Sequence, residues 1–254
     1  TIILSLAKFY HDIKFENIQK ISYLFFPFLI LGIPFIFVVI QPDLGTSLSI
    51  LMLGVFILFL AGIRLWKFIL GFLVAVISIP VFLQYIKPYQ RDRIISFLNP
   101  ESDPLGQGYQ LIQSKIALGS GGATGKGFLQ GTQSYLEYLP EKQTDFIFTL
   151  IGEEFGFLGT IFIIFLFILL IAVCYFISLK SFHTYGRILA LGVASNIFIY
   201  VFMNIAMVSG LMPVVGIPLP LISYGGSVML SIMVSIGLVL NVELNYNLKK
   251  LNNA

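Results

Sequence analysis

The chain has 254 residues, of which 57% are hydrophobic and 11% are charged, and its mean hydropathy of +0.95 lies far outside the range of soluble globular proteins. This composition excludes a soluble domain and indicates an all-α, polytopic integral membrane protein. The net charge of +3 is small and the basic residues form no patch, so the composition does not point to a nucleic acid as partner.

The first apolar run, residues 1–7, is too short to cross a bilayer, because a transmembrane helix needs about 20 apolar residues. The chain begins with Thr1 rather than with Met. We therefore interpret this run as the end of a partial helix and the chain as the C-terminal part of a longer protein.

Uncharged apolar runs of spanning length follow, and each predicts a transmembrane helix. Residues 188–242 are uncharged over twice that length. Pro213, Pro218 and Pro220 predict a break within them, because proline interrupts a helix. The chain is thus expected to hold six full transmembrane helices after the partial one. They are placed at residues 21–40, 44–63, 68–86 and 155–179 and in the two halves of 188–242.

Basic residues in the short connections predict the orientation through the positive-inside rule. They occur before the first full span, after the second, after the fourth and at the C-terminus, and these sides are predicted to be cytoplasmic. The long connection, residues 87–145, has six basic and six acidic residues and shows no such bias. We expect a single domain, residues 1–254, whose outer loop 87–145 carries the function, because long connections in compact proteins tend to be functional.

The outer loop offers positive charge and a glycine-rich segment, residues 119–131. The glycines could present backbone N–H groups to an anion or could act as a hinge, and the sequence favours neither. Basic side chains of the loop could bind a phosphate or could anchor at lipid headgroups. These side chains are Arg91, Arg93, Lys115 and Lys126.

Carboxylates gather at the end of the loop, just before the apolar run 155–179. An ionisable side chain at a membrane boundary is a candidate functional group. Asp145 also stands where Asp often caps a helix N-terminus, so capping and function are both open for it. The five carboxylates are Glu137, Glu141, Asp145, Glu153 and Glu154.

Four segments, in order along the chain, resemble the motifs of the RodA, FtsW and SpoVE (SEDS) family. Segment 204–220 resembles the rod-shape branch of the family rather than the division branch. The resemblance covers essentially the whole chain and implies the C-terminal part of a ten-helix SEDS fold. The four segments are QPDLGTS (41–47), NPESDPLGQGYQLIQSKIALGSGG (99–122), LPEKQTDFIFTLIGEEFG (139–156) and PLPLISYGGS (218–227).

The resemblance implies a peptidoglycan glycosyltransferase that polymerises lipid II into undecaprenyl-linked glycan for cell-wall elongation and rod shape. It would work on the extracytoplasmic face of the bacterial cytoplasmic (inner) membrane, with a class B penicillin-binding protein and other elongation-complex proteins as partners. A flippase for the lipid-linked precursor and a non-catalytic scaffold are the alternatives. Ionisable groups concentrate in the outer loop rather than along the helices, which favours surface chemistry over transport.

The resemblance also assigns roles to individual residues. Asp145 corresponds to the family's essential aspartate in TDFIF, and Glu137 to the acidic residue of LEYLP. Asp145 is expected to be the general base for the acceptor hydroxyl or a carboxylate that holds a metal, with Glu137 as electrostatic support. The diphosphate needs positive charge, from the four basic side chains or from a divalent cation such as Mg²⁺ or Mn²⁺. Gln143 stands where the family usually has His.

Overall fold

The chain folds into α-helices joined by turns. A computed structural model describes residues 1–13, 15–85, 88–103, 106–135, 141 and 143–252. Over these residues no strand is present, so the all-α prediction is confirmed. The helices are α1 (Ile2–His11), α2 (Phe15–Ile18), α3 (Phe25–Ile40), α4 (Leu44–Leu60), α5 (Leu65–Tyr85), α6 (Pro88–Leu98), α7 (Gln107–Ser120), α8 (Thr132–Tyr135), α9 (Ile147–Lys180), α10 (Thr184–Val208) and α11 (Gly226–Asn252), with 3-10 turns at Ile21–Leu24 and Pro100–Ser102.

Several helices have the length and composition of membrane spans, as predicted. In the described chain four stretches qualify: Ser22–Ile40, Ile147–Lys180, Thr184–Val208 and Gly226–Leu248. Helices also occupy the other two predicted spans. However, α4 has 17 residues, which is at the short end for a membrane span. The polytopic membrane fold is therefore confirmed, while the count of six spans stays a prediction.

The predicted break inside residues 188–242 lies where the prolines place it. Helix α10 ends at Val208 and α11 begins at Gly226, so the 17 residues between them form an irregular connection. We call this segment, residues 209–225, the proline connection. Its far end lies against the end of the outer loop, where Tyr224 N donates to the carbonyl of Gln143 at 2.9 Å.

The chain divides into two compact units. The first unit comprises Thr1–Ser78, Leu169–Ile199 and Leu230–Ala254. Within it α3 packs against α1 and α4, and Leu6 and Tyr10 of α1 are buried. Asp43 caps α4 by accepting from the backbone N of Thr46 at 3.0 Å and from its hydroxyl at 2.6 Å, so this Asp has a local structural role.

The second unit comprises Ile79–Ile168 and Tyr200–Met229, and it holds every described candidate site residue. Helices α6 and α7 pack together in it, with the Pro100–Ser102 turn between them. Ser114 of α7 is fully buried, donates to the carbonyl of Val208 at 2.8 Å and lies 2.7 Å from the hydroxyl of Thr149. One buried hydroxyl thus joins α7 to α9 and α10.

Helix α9 is interrupted at Gly156, whose φ of 66° and ψ of −161° are not helical. The interruption leaves backbone groups of α9 without helical partners. The carbonyl of Glu153 accepts instead from the backbone N of Lys126, and that of Glu154 from Gly127, both at 3.0 Å. Two N–H groups of the glycine-rich segment are therefore used to complete the broken helix.

The exchange also runs in the other direction. Beyond the interruption, Phe157 N donates to the carbonyl of Gly122 at 2.9 Å, and Leu158 N to that of Ala123 at 3.1 Å. Gly125 has a φ of 80°, and a Cβ on it would overlap the carbonyl of Glu154. The glycines therefore allow the loop backbone to lie directly against α9. This role is neither the anion site nor the hinge that the sequence left open.

Candidate functional site

Asp145 lies two residues before α9, on a tight turn that begins at Glu141. The backbone N of Phe146 donates to the carbonyl of Glu141 at 3.1 Å, and the Thr144 hydroxyl donates to the Glu141 carboxylate at 2.8 Å. Among the described residues the Asp145 carboxylate accepts no hydrogen bond from the first turn of α9. The geometry therefore gives no support to the capping role.

The protonation of Asp145 is shifted by its surroundings. Burial raises the pKa of its carboxyl above the ordinary aspartate value, because a charged group loses hydration when it leaves water. The negative charge of Glu141 raises the same pKa further. A carboxylate with a raised pKa binds a proton more readily, which is the property that a general base needs.

The backbone of this turn is held at three successive carbonyls. Those of residues 143, 144 and 145 accept in turn from Tyr224 N at 2.9 Å, Ser223 Oγ at 2.6 Å and Asn204 Nδ2 at 2.8 Å. Two of the donors lie in the proline connection and the third lies on α10. The turn that carries Asp145 is thus fixed by parts of the chain that are remote in sequence.

Gly216 of the proline connection faces the Asp145 carboxylate. It has a φ of 71°, and a Cβ built on it would lie 3.2 Å from Asp145 Oδ2. Glycine fits here both because its backbone conformation is left-handed and because the carboxylate occupies the adjoining space.

An open groove of about 470 Å³ lies beside the same turn. Gln143 and Ile147 line one side, and residues 222–226 and Met229 line the other. The Tyr224 side chain is 79% exposed at this groove. The groove brings amide, hydroxyl and aromatic groups next to the turn that carries Asp145.

Lys126 forms a direct ion pair with Glu153. Its Nζ donates to Glu153 Oε1 at 2.7 Å and to the Thr132 hydroxyl at 2.7 Å. Glu153 is 1% exposed, and its Oε1 also accepts from the backbone N of Gln133 at 3.0 Å. A phosphate-binding role for Lys126 stays a prediction, and a phosphate would have to compete with this ion pair.

The other three basic candidates are more accessible. Arg91 and Lys115 are exposed and Arg93 is partly exposed, and none of them forms an ion pair with a described residue. The Lys115 side chain lies across Gly210, at the start of the proline connection. No hydrogen bond or ion pair within the described chain joins the three to Asp145, and Glu137 lies outside the described residues.

The sequence reading missed Asn204, Ser223 and Gly216. A signal for Asn204 was present, because a fully polar amide inside an uncharged helix is costly in a membrane unless it has partners. Ser223 lies in the motif segment 218–227 and Gly216 in segment 204–220. Neither residue type by itself indicates a site, since hydroxyls and glycines are ordinary in a connection. Their importance depends on which residues they meet in space.

No group of three Asp, Glu, His or Cys side chains that could hold a metal ion is found among the described residues. Asp145 and its neighbour Glu141 supply only two carboxylates, one fewer than such a group needs. Mg²⁺ is commonly held by one or two carboxylates together with substrate phosphates and water, so these side chains alone do not complete a site.

Comparisons with known proteins agree with the motif resemblance. Residues 1–248 match the FtsW, RodA and SpoVE family model, described as "Cell cycle protein". The chain is 48% identical over 218 residues to peptidoglycan glycosyltransferase MrdB of Escherichia coli strain K12, covering 85% of this chain and 58% of that relative. It is 42% identical over 243 residues to stage V sporulation protein E of Bacillus subtilis strain 168, covering 95% of this chain and 66% of the relative.

A solved structure is also similar. It is described as "Structural coordination of polymerization and crosslinking by a peptidoglycan synthase complex", with a TM-score of 0.79 and 31% identity over 96% of this chain and 68% of that one. This likeness supports the helical membrane fold described above. The chain spans only 58% of the length of its MrdB relative, so it corresponds to part of such a protein.

Proposed function

The chain belongs to the FtsW, RodA and SpoVE family, and on that premise we propose that it is the catalytic-face portion of a peptidoglycan glycosyltransferase. Its relative with 48% identity carries that activity in its name. The observation that carries the proposal is Asp145, a partly buried carboxylate with a raised pKa, which stands at the start of a spanning helix without capping it.

The proposed reaction polymerises lipid II into undecaprenyl-linked glycan. An acceptor sugar hydroxyl attacks the anomeric carbon of the donor and a new glycosidic bond forms. The bond between that carbon and the diphosphate oxygen breaks, and the lipid diphosphate leaves. Asp145 takes the proton of the hydroxyl as general base. One base and a charged leaving group suffice, so no second carboxylate acid is needed.

The leaving diphosphate needs positive charge rather than a proton. Lys115, Arg91 and Arg93 support this part of the proposal, because no described carboxylate neutralises them. Lys126 would have to leave Glu153 to take part. Glu137 is proposed as electrostatic support for Asp145. Glu141, on the same turn as Asp145, already acts in this way, because its negative charge raises the pKa of Asp145.

A divalent cation, Mg²⁺ or Mn²⁺, is a further proposal for the same charge compensation. Asp145 would be its carboxylate ligand, with the diphosphate oxygens of the substrate as other ligands. The described side chains do not complete a site by themselves, so no step of the proposed reaction depends on the ion.

The proposed location is the extracytoplasmic face of the bacterial inner membrane, because the outer loop lacks the basic bias of the connections that are predicted to be cytoplasmic. The proposed partner is a class B penicillin-binding protein, together with other elongation-complex proteins. A similar solved structure concerns a complex that couples polymerisation and crosslinking, which supports a crosslinking partner.

The test is a polymerisation assay on the purified full-length protein with its penicillin-binding partner, with labelled lipid II as substrate and gel separation of products. A ladder of glycan strands is the expected product, and Asp145→Asn should reduce it at least about a hundredfold. Movement of lipid II across vesicle membranes without any polymer would overturn the proposal in favour of a flippase. The absence of both polymer and lipid II movement would overturn the proposal in favour of a scaffold.

A further inference from the structure

The turn that carries Asp145 has an unusual support. Backbone groups just before a helix are commonly bonded within their own turn or to water. Here the three carbonyls of residues 143–145 instead accept from Tyr224, Ser223 and Asn204, and two of these three donors are side chains.

Asn204 bridges two segments from inside α10. Its side chain is fully buried, and its Nδ2 donates at 2.8 Å to the carbonyl of Asp145 and at 2.7 Å to that of Ile217. Because both partners are acceptors, the amide can present only its NH₂ group to them. Its Oδ1 is buried and has no partner within the described chain. Such an amide is costly in a membrane helix, which argues that its position is used.

Ser223 forms a second bridge at the far end of the proline connection. It is 6% exposed, its Oγ donates to the carbonyl of Thr144 at 2.6 Å, and it accepts from Leu219 N at 2.7 Å. The hydroxyl therefore satisfies one group of the turn and one group of its own connection. Asn204 and Ser223 therefore both link the turn to the proline connection, through the adjacent carbonyls of Asp145 and Thr144.

The two bridges act on the carboxylate through its backbone. Helix α9 begins two residues after Asp145, so the backbone is held on one side by the helix and on the other by the bridges. Gly216 leaves room for the side chain itself, because a Cβ built at this position would lie only 3.2 Å from Oδ2. A reacting group held in this way avoids the loss of rate that a displacement of about 1 Å can cause.

We propose that Asn204 and Ser223 are positioning residues that clamp the turn 143–145 and so hold Asp145 for proton transfer. The catalytic part of this inference rests on the proposed function. The clamp itself does not, and it can be measured without any activity.

The variants are Asn204→Leu, which keeps the approximate size but removes the donor, and Ser223→Ala, which removes one hydroxyl. Ser223→Thr keeps the hydroxyl and should restore the behaviour of the native protein. The matched control is Ser209→Ala, because the Ser209 hydroxyl lies in the same unit and, within the described chain, bonds only to the carbonyls of Ile205 and Ala206 in the adjoining last turn of α10.

The first measurement is hydrogen exchange by mass spectrometry on the full-length protein, read at the peptide containing Tyr224. The Tyr224 amide donates to the carbonyl of Gln143, so it reports whether the turn is held. Asn204→Leu should speed this exchange roughly tenfold although it lies 20 positions away, because local opening becomes easier. Ser209→Ala should leave it unchanged. Unchanged exchange in both Asn204→Leu and Ser223→Ala would overturn the clamp.

The second measurement is lipid II polymerisation as a function of pH. Both clamp variants should lower kcat roughly ten- to hundredfold with KM unchanged. The acidic limb should also move to lower pH, because a loosened Asp145 regains water while Glu141 remains in place. A loss of folded protein with a normal profile would mean a merely structural role and would overturn the positioning claim. If the native protein makes no polymer, the proposed function fails and the exchange result alone decides the clamp.

Discussion

The Asp145→Asn variant distinguishes a catalytic role of Asp145 from a role in the stability of the fold. A lost N-cap costs about 0.5–2 kcal/mol, but Asn caps about as well as Asp, and no capping bond from Asp145 is seen in the described chain. The raised pKa has a further consequence. A carboxyl whose pKa is higher in the folded state destabilises the fold when it is ionised, at pH values above that pKa. Neutral Asn removes this penalty, so the Tm at neutral pH should stay the same or rise.

The rate should respond in the opposite way. Asn cannot accept the hydroxyl proton, and loss of a general base typically costs about 10²–10⁴-fold in rate. We therefore expect polymerisation by Asp145→Asn to fall at least about a hundredfold, within that range. Asp145→Glu should also be impaired, because the longer side chain displaces the carboxylate by about 1 Å in a fixed turn.

The assay is strand formation from labelled lipid II by full-length variants, with membrane accumulation and thermal unfolding measured on the same preparations. Asp43→Asn is the matched control, since Asp43 is a true helix cap with a 3.0 Å bond to Thr46 N. It should keep both stability and activity. The general-base assignment is refuted if Asp145→Asn polymerises lipid II at a near-native rate.

Three further predictions test the surroundings of the base. Glu141→Gln should move the acidic limb of the pH–rate profile to lower pH, because the negative charge of Glu141 raises the pKa of Asp145 and its removal lowers that pKa. An unmoved limb would contradict this electrostatic coupling. Gly216→Ala should cost about 1–2 kcal/mol from its left-handed backbone and lower kcat as well, whereas Gly119→Ala, with open space around it, should do neither. Lys126→Met should lower the free energy of unfolding by about 3 kcal/mol, the low end for a broken buried pair, because the Thr132 hydroxyl and Gln133 N still donate to Glu153. Thermal unfolding measures this, and an unchanged Tm would show that the ion pair is dispensable.

The sequence by itself determined the class of fold and the position of the main candidate. Span length and proline breaks are local properties, since bilayer thickness and backbone chemistry act on neighbouring residues. They correctly predicted helices at α9, α10 and α11 and the proline connection between the last two, although α9 begins at Ile147 rather than at residue 155. The motif around Asp145 was readable for the same reason, because its residues are adjacent in the chain.

Only the tertiary structure decided how that candidate is held. Asn204 and Asp145 are 59 residues apart, Ser223 and Thr144 are 79 apart, and Lys126 and Glu153 are 27 apart. The glycine-rich segment likewise gained its role from a distant break at Gly156. A hydrogen bond depends on the final positions of two atoms, and no local pattern encodes a partner that is brought close only when the helices pack.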